Sequence, residues 1–193
     1  MSRAPGAKAP GEVRIIGGQY KRTRLPVLER AGLRPTPDRV RETLFNWLGQ
    51  DLAGWRCLDA FAGAGALGLE AASRGAASVL LIESDAALAA QLETLRQRLH
   101  ADAVRVQRGD GIAALRQAAP RSLHLVFIDP PFDSALLEPA ARAAAQAVAA
   151  DGFIYLEAPR LWSAEQLAAM GLAAHRHLKA GAVHAHLLKP LVS

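Results

Sequence analysis

Residues 59–71 read DAFAGAGALGLEA and continue the apolar run RCLDAF at 56–61. Gly63, Gly65 and Gly68 stand in the spacing G-x-G-x-x-G between a strand candidate and a helix candidate. Glycine at such a turn lets the backbone approach a ligand closely, and the helix that follows offers it free N–H groups. Glu83 closes the next strand candidate, SVLLIE at 78–83, twenty residues after Gly63. An acid in that position can accept hydrogen bonds from ribose hydroxyls. The stretch points to an α/β nucleotide-binding fold. Taken alone, it serves a nicotinamide dinucleotide and S-adenosylmethionine equally well.

Outward from this loop, apolar runs alternate with helical patterns. Strands are expected at 56–61, 78–83, 103–107, 123–128 and 152–157, with helices near 66–74, 86–99, 111–118 and 135–149. Continuous apolar strands separated by helices imply a parallel sheet covered on both faces. A short helix near 163–170 precedes LAAHRHL and VHAHLLK, which flank Ala180-Gly181 as a closing hairpin. Upstream, VRIIGGQYKRTRLPV (13–27) reads as two β-prone runs around a Gly17-Gly18 turn. In LRPTPDRVRETLFNWL, Thr36 is the expected N-cap and Pro37 suits the first turn. Val40, Leu44, Trp47 and Leu48 recur at helical spacing there, with Arg39 and Arg41 on other faces. The chain divides into a basic tail expected to be disordered (1–11), a hairpin-and-helix extension (12–51) and the main α/β domain (52–193).

The 193 residues are 51% hydrophobic and 21% charged, which describes a folded domain. The N-terminus lacks the apolar core of a secretory signal. The Ala-rich run at 135–150 is too short and too polar to span a membrane. Cys57, the single cysteine, reads as a buried filler and allows no internal disulfide, which suits a reducing cytoplasm. Charge is unevenly placed. Residues 1–41 hold ten Lys or Arg against three acids, while the whole chain is only +5. A basic end on a near-neutral body is the footprint of a polyanion, here nucleic acid.

The glycine loop's ligand is narrowed by three acids. Asp59, Glu83 and Asp110 end successive strands and form a row along the carboxyl edge, where open α/β sheets bind ligands. A pyrophosphate is disfavoured there, whereas a sulfonium with an α-amino group is attracted. The fourth strand ends at the same edge in Asp129-Pro130-Pro131-Phe132. Two prolines remove two donors and fix two φ angles, which makes a stiff elbow. A carboxylate and the Pro130 carbonyl could accept both hydrogens of an exocyclic amine and turn its lone pair towards a methyl donor. Phe132 would stack on the base. No metal is required. The His-x-His pairs of the closing hairpin (His175, His177, His184, His186) are read as a solvated edge rather than a metal site.

These blocks in order, VRIIGGQYKRTRLP, LRPTPDRVRETLFNWL, CLDAFAGAGALGLEAASRGA, LIESD and VFIDPPF, resemble the RsmD-type family of bacterial 16S rRNA guanine-N2 methyltransferases. The resemblance implies a class I, Rossmann-like fold: a mostly parallel seven-stranded sheet with helices on both faces, plus the small N-terminal extension. It implies S-adenosylmethionine as donor and 16S rRNA in a 30S assembly intermediate as partner, with a monomeric, cytoplasmic enzyme and no membrane. Asp129, Pro130, Pro131 and Phe132 would be catalytic. Asp59, Phe61, Gly63, Ala64, Gly65, Glu83 and Asp110 would bind the cofactor, with Thr36 and Arg39 closing over it. Arg14, Lys21, Arg22, Arg24 and Arg34 would hold RNA. A DNA adenine-N6 or other amino-group methyltransferase shares the elbow and stays open as an alternative. A nicotinamide oxidoreductase leaves the elbow unexplained, and a non-catalytic RNA-binding scaffold leaves the acid row unexplained.

Overall fold

The computed structural model describes residues 11–28, 35–131 and 134–191. The first ten residues of the tail, Arg34 and Phe132 lie outside them. A short antiparallel ribbon, β1 (Glu12–Arg14) and β2 (Arg24–Pro26), leads to helix α1 (Asp38–Trp47). Strands and helices then alternate: β3 (Arg56–Asp59), α2 (Ala66–Ser73), β4 (Ser78–Glu83), α3 (Ala86–Arg98), β5 (Val104–Arg108), α4 (Gly111–Gln117), β6 (Leu123–Ile128), α5 (Leu137–Ala147) and β7 (Val148–Ala158). The short α6 (Ala164–Ala168) precedes the hairpin β8 (Leu172–Ala180) and β9 (Val183–Pro190).

The seven main strands are ordered β5-β4-β3-β6-β7-β9-β8. They run parallel from β5 to β7, and β9 and β8 pair antiparallel at the end. Strand alternation sorts the core into two layers. Cys57, Val79, Leu81, Leu125, Phe127 and Tyr155 pack with α1, α2 and α3. Leu58, Ile82, Val126, Ile128, Ile154 and Leu156 pack with α4, α5 and α6. Cys57 is buried as expected, and burial pushes its thiol up to about 12. From β3 the chain turns outward to β4, and from β6 it turns the other way to β7. The gap between β3 and β6 is therefore the switch point where doubly wound sheets take ligands.

The extension shares the first core layer, burying Val13, Ile15, Leu25, Leu44 and Phe45 in it. Its docking is polar at the centre. Glu70 on α2 is fully buried and accepts from the backbone N–H groups of Ile16 and Gly17, both at 2.8 Å. The same carboxylate pairs with Arg41 at 3.3 Å and with Arg74 at 2.9 Å. The hairpin loop can come this close only because Gly18 has no side chain: a Cβ there would lie 1.8 Å from the Ser73 carbonyl oxygen. Its φ of +73° also favours glycine.

Two expectations for α1 are corrected. Arg41 is not on an outer face but completely buried. It lies on one helical stripe with Leu44, Phe45 and Leu48, and its guanidinium donates to the Arg14 and Thr36 carbonyls at 2.8 and 3.2 Å and reaches Asp38 at 2.6 Å. Thr36 is not the N-cap: that position is Pro37, with no side-chain capping bond. The Thr36 hydroxyl instead donates to Glu157 Oε1 at 2.6 Å.

The closing hairpin is not uniformly a solvated edge. His186 is buried, and its Nε2 accepts from the Trp162 backbone N–H at 3.3 Å. Burial, aided by the nearby His177, holds its ring neutral, with its pKa lowered to about 4. His177 Nε2 and His184 Nδ1 lie 2.9 Å apart. Among the described residues no group of three or more His, Cys, Asp or Glu is placed to hold a metal ion.

Removing one partner of a buried ion pair strands the other, at about 3–5 kcal/mol. Glu70→Ala is therefore expected to lose stability by about that amount in urea unfolding. Arg142→Ala, which breaks an exposed pair with Glu138, should cost about 1 kcal/mol or less. Equal losses would mean that the Glu70 cluster does not hold the extension.

Candidate active site

At the carboxyl edge, between the loops that follow β3 and β6, lies a cavity of about 490 Å³. Its floor is the glycine loop. Gly65 takes φ +84° and caps α2, and the place of its missing Cβ is filled by Leu92 and Leu69. Gly65 therefore shapes the turn, and it is not among the lining residues of the cavity. Gly68 is needed for packing: a Cβ there would meet Leu81 Cδ2 at 2.2 Å. Gly63, by contrast, lines the cavity, and its N–H donates to Glu83 Oε2 at 2.9 Å.

Around that floor the structure gathers carboxylates. Asp59, Glu83, Asp85, Asp110 and Asp129 all line the cavity, and no Lys or Arg is among its described lining residues. Asp59 ends β3, is fully buried, and accepts from the Gly68 N–H at 3.1 Å and the Phe61 N–H at 3.4 Å. Burial raises its pKa to about 7; these two bonds oppose the rise, and the neighbouring Glu83 adds to it. Glu83 Oε1 accepts from the Asp85 N–H at 2.8 Å. Asp110 caps α4, its Oδ1 accepting from the Ala113 N–H at 2.7 Å. It acts as a helix cap and as part of the cavity wall at once.

The elbow closes the other side. Asp129, Pro130 and Pro131 line the same cavity, as do Pro35 and Thr36 from the segment before α1. The Asp129 carboxyl is raised well above its ordinary range, first by burial, then by the charges of Glu157 and Asp59, with hydrogen bonding from Thr36 acting against them. Behind it, half-buried Glu157 near the end of β7 accepts from Thr36 Oγ1 at 2.6 Å and from the Tyr155 hydroxyl at 2.8 Å. Burial raises Glu157 too, against those two bonds.

Of the residues expected at the site, Asp59, Phe61, Gly63, Ala64, Glu83, Asp110 and Thr36 meet Asp129, Pro130 and Pro131 around one cavity. Arg39 is exposed on α1 and is not among the lining residues. Glu157 and Tyr155 went unread in GFIYLE. The signal was present, since Glu157 closes its strand at the same edge as Asp59, Glu83 and Asp129. On the extension, Arg14, Lys21, Arg22 and Arg24 are all exposed, and Arg14 and Arg24 are cross-strand neighbours. Arg24 is only loosely held by Glu12, at 3.4 Å and with both side chains more than half exposed.

The donor set suits a cation. Five carboxylates without a compensating base repel a pyrophosphate and attract a ligand carrying a sulfonium and an ammonium. Apolar Leu67, Ile82, Leu88 and Ile112 in the same wall suit a flat ring beside it.

The family model described as Conserved hypothetical protein 95 matches residues 13–189. Ribosomal RNA small subunit methyltransferase D of Escherichia coli is 48% identical over 136 residues, covering 70% of this chain and 68% of that one. The solved structure of the Escherichia coli protein yhhF superposes with a TM-score of 0.79 at 38% identity, covering 93% of this chain and 98% of its own. A T. thermophilus 16S rRNA N2 methyltransferase, solved with AdoMet and guanosine, shares the fold at 22% identity, with a TM-score of 0.70 over 98% of this chain and 53% of that one. The chain belongs to the Conserved hypothetical protein 95 family, the RsmD-type methyltransferases.

Proposed function

We propose that this chain transfers a methyl group from S-adenosylmethionine to the exocyclic N2 amine of one guanine in 16S rRNA, acting on a partly assembled small subunit. The observation that carries the reading is the Asp129-Pro130-Pro131 elbow on the wall of an acid-lined cavity with no lining cation among the described residues. The relative from Escherichia coli is named for small-subunit rRNA. The exposed basic ribbon supplies a surface for the phosphate backbone.

The donor would bring an electrophilic methyl on a sulfonium. The chain's own residues do the rest. An aromatic exocyclic amine is a poor nucleophile because its lone pair is delocalised into the ring. Asp129 would accept one amine hydrogen and the Pro130 carbonyl the other, which turns the lone pair towards the methyl. Such charge-assisted bonds contribute roughly 1.5–3 kcal/mol each. Holding donor and acceptor in line contributes more, up to about 7–11 kcal/mol. A guanine already stacked in the RNA must be drawn out at a few kcal/mol, which favours a substrate whose loop is still accessible.

Asp129→Ala should lower kcat by roughly ten- to two-hundred-fold, the equivalent of one such bond, with a smaller loss of donor affinity. Retained turnover would remove Asp129 from the mechanism. A cation in this cavity favours ionised carboxyls, and Asp59 and Asp129 are both raised without one, Asp59 to about 7. Donor binding should therefore expel protons near neutrality, and affinity should rise with pH up to about 7. Calorimetry in buffers of different ionisation heat reads this directly, and proton uptake or no linkage would contradict it. Replacing Arg22 and Arg24 by Ala should weaken RNA binding. It should also flatten the log-salt slope by roughly 0.7–0.9 for each phosphate that is no longer neutralised. An unchanged slope would exclude the ribbon from RNA binding.

A further inference from the structure

Glu157 is not on the cavity wall, yet two hydroxyls converge on its Oε1. Thr36 Oγ1 donates at 2.6 Å and the Tyr155 hydroxyl at 2.8 Å. Thr36 is almost fully buried and does line the cavity, alongside Asp129. Its hydroxyl has one hydrogen, given to Glu157 in the structure, and as a hydrogen-bond donor it also favours the ionised form of Asp129. With that hydrogen on Glu157, the Thr36 oxygen is left to accept from Asp129 once Asp129 has taken up a proton. Threonine here is a two-way connector.

Resting on the methyltransfer reading above, we infer that Glu157 serves the reaction from behind Asp129, orienting the Thr36 hydroxyl and receiving through it the proton that the amine loses. With the sulfonium and ammonium of the donor in place, both carboxyls are ionised. The amine lone pair forms the N–C bond as the C–S bond breaks with its electron pair going to sulfur. The N–H pair then returns to nitrogen as the proton passes to Asp129. Asp129 hands a proton to Thr36 Oγ1 while Thr36 hands its own to Glu157. One sulfonium charge and one carboxylate charge disappear together, so the site ends the step without a new ion. Tyr155 holds Glu157 in place and does not compete for the proton path. Burial and the charge of Glu157 raise its phenol well above its ordinary range, so it stays protonated.

Glu157 is thus a positioning residue, and Thr36 is its contact with the site. The groups facing it are Asp129 at the end of β6 with Asp59 beyond, Tyr155 on its own strand, and Arg41 of α1 near that phenol. The test is single-turnover transfer to rRNA in partly assembled particles, followed as a function of pH. Glu157→Gln still accepts from both hydroxyls but cannot take a proton. It should lower the single-turnover rate by about 10²-fold, with affinity for the particle and the donor little changed, and should reduce the rising limb of the rate–pH profile to the titration of Asp129 alone. Thr36→Val should match that loss, and Thr36→Ser, which restores the hydroxyl, should recover most of it. This second pair keeps the test decisive should Glu157→Gln misfold. A wild-type rate and pH profile in Glu157→Gln, or equal rates for Thr36→Val and Thr36→Ser, would overturn the inference alone. No product from the parent chain would overturn the rRNA reading and the inference with it.

Discussion

A single buried carboxylate, Glu70, ties the basic extension to the catalytic fold. It sits on the helix that begins at the glycine loop, and it accepts from two backbone N–H groups of the hairpin loop while pairing with Arg41 and Arg74. Arg41 extends the tie by bonding the Thr36 carbonyl, which sets Pro35 and Thr36 against the cavity. Burying a charge at this cost is tolerable only when nearly every donor and acceptor is used, as it is here. The consequence is functional. The element expected to grip RNA and Thr36, which donates to Glu157 and lines the cavity beside Asp129, are located by the same cluster.

The cavity shows the opposite economy. Asp59, Asp129 and Glu157 are all held above their ordinary range by burial, and no Lys or Arg lines the cavity among the described residues. Hydrogen bonds from Gly68, Thr36 and Tyr155 offset only part of this. Such strain disfavours the empty ionised site and is relieved by a positively charged ligand. A donor that carries its charge in, and loses one unit of it when the methyl leaves, is matched to that arrangement.

Much of this was legible in the residues themselves. The alternation of apolar runs and helical patterns set the strand count, and the glycine spacing located the ligand edge. The elbow's prolines located the end of β6. What sequence did not disclose depends on which neighbour covers which face. Arg41 falls on the stripe of Leu44, Phe45 and Leu48, yet a lone arginine there reads as solvent-facing until the hairpin loop is seen above it. Thr36 has the form of an N-cap, but its hydroxyl turns to Glu157, 121 residues away in sequence. His186 looked like an edge residue because its covering partner, Trp162, comes from a segment without a recognisable pattern. Neither Arg39, exposed on α1, nor Gly65, packed against Leu69 and Leu92, lines the cavity.

The central claim is that the acid-lined cavity and its elbow methylate a guanine amine in small-subunit rRNA. It is tested most directly by giving the protein S-adenosylmethionine with a labelled methyl group. The acceptors would be naked small-subunit rRNA, partly assembled 30S particles and duplex DNA, and the modified nucleoside would be identified by mass spectrometry. The expected product is N2-methylguanosine from rRNA or the particles. N6-methyladenine from DNA, or no transfer to any acceptor by protein that binds the donor, would contradict it.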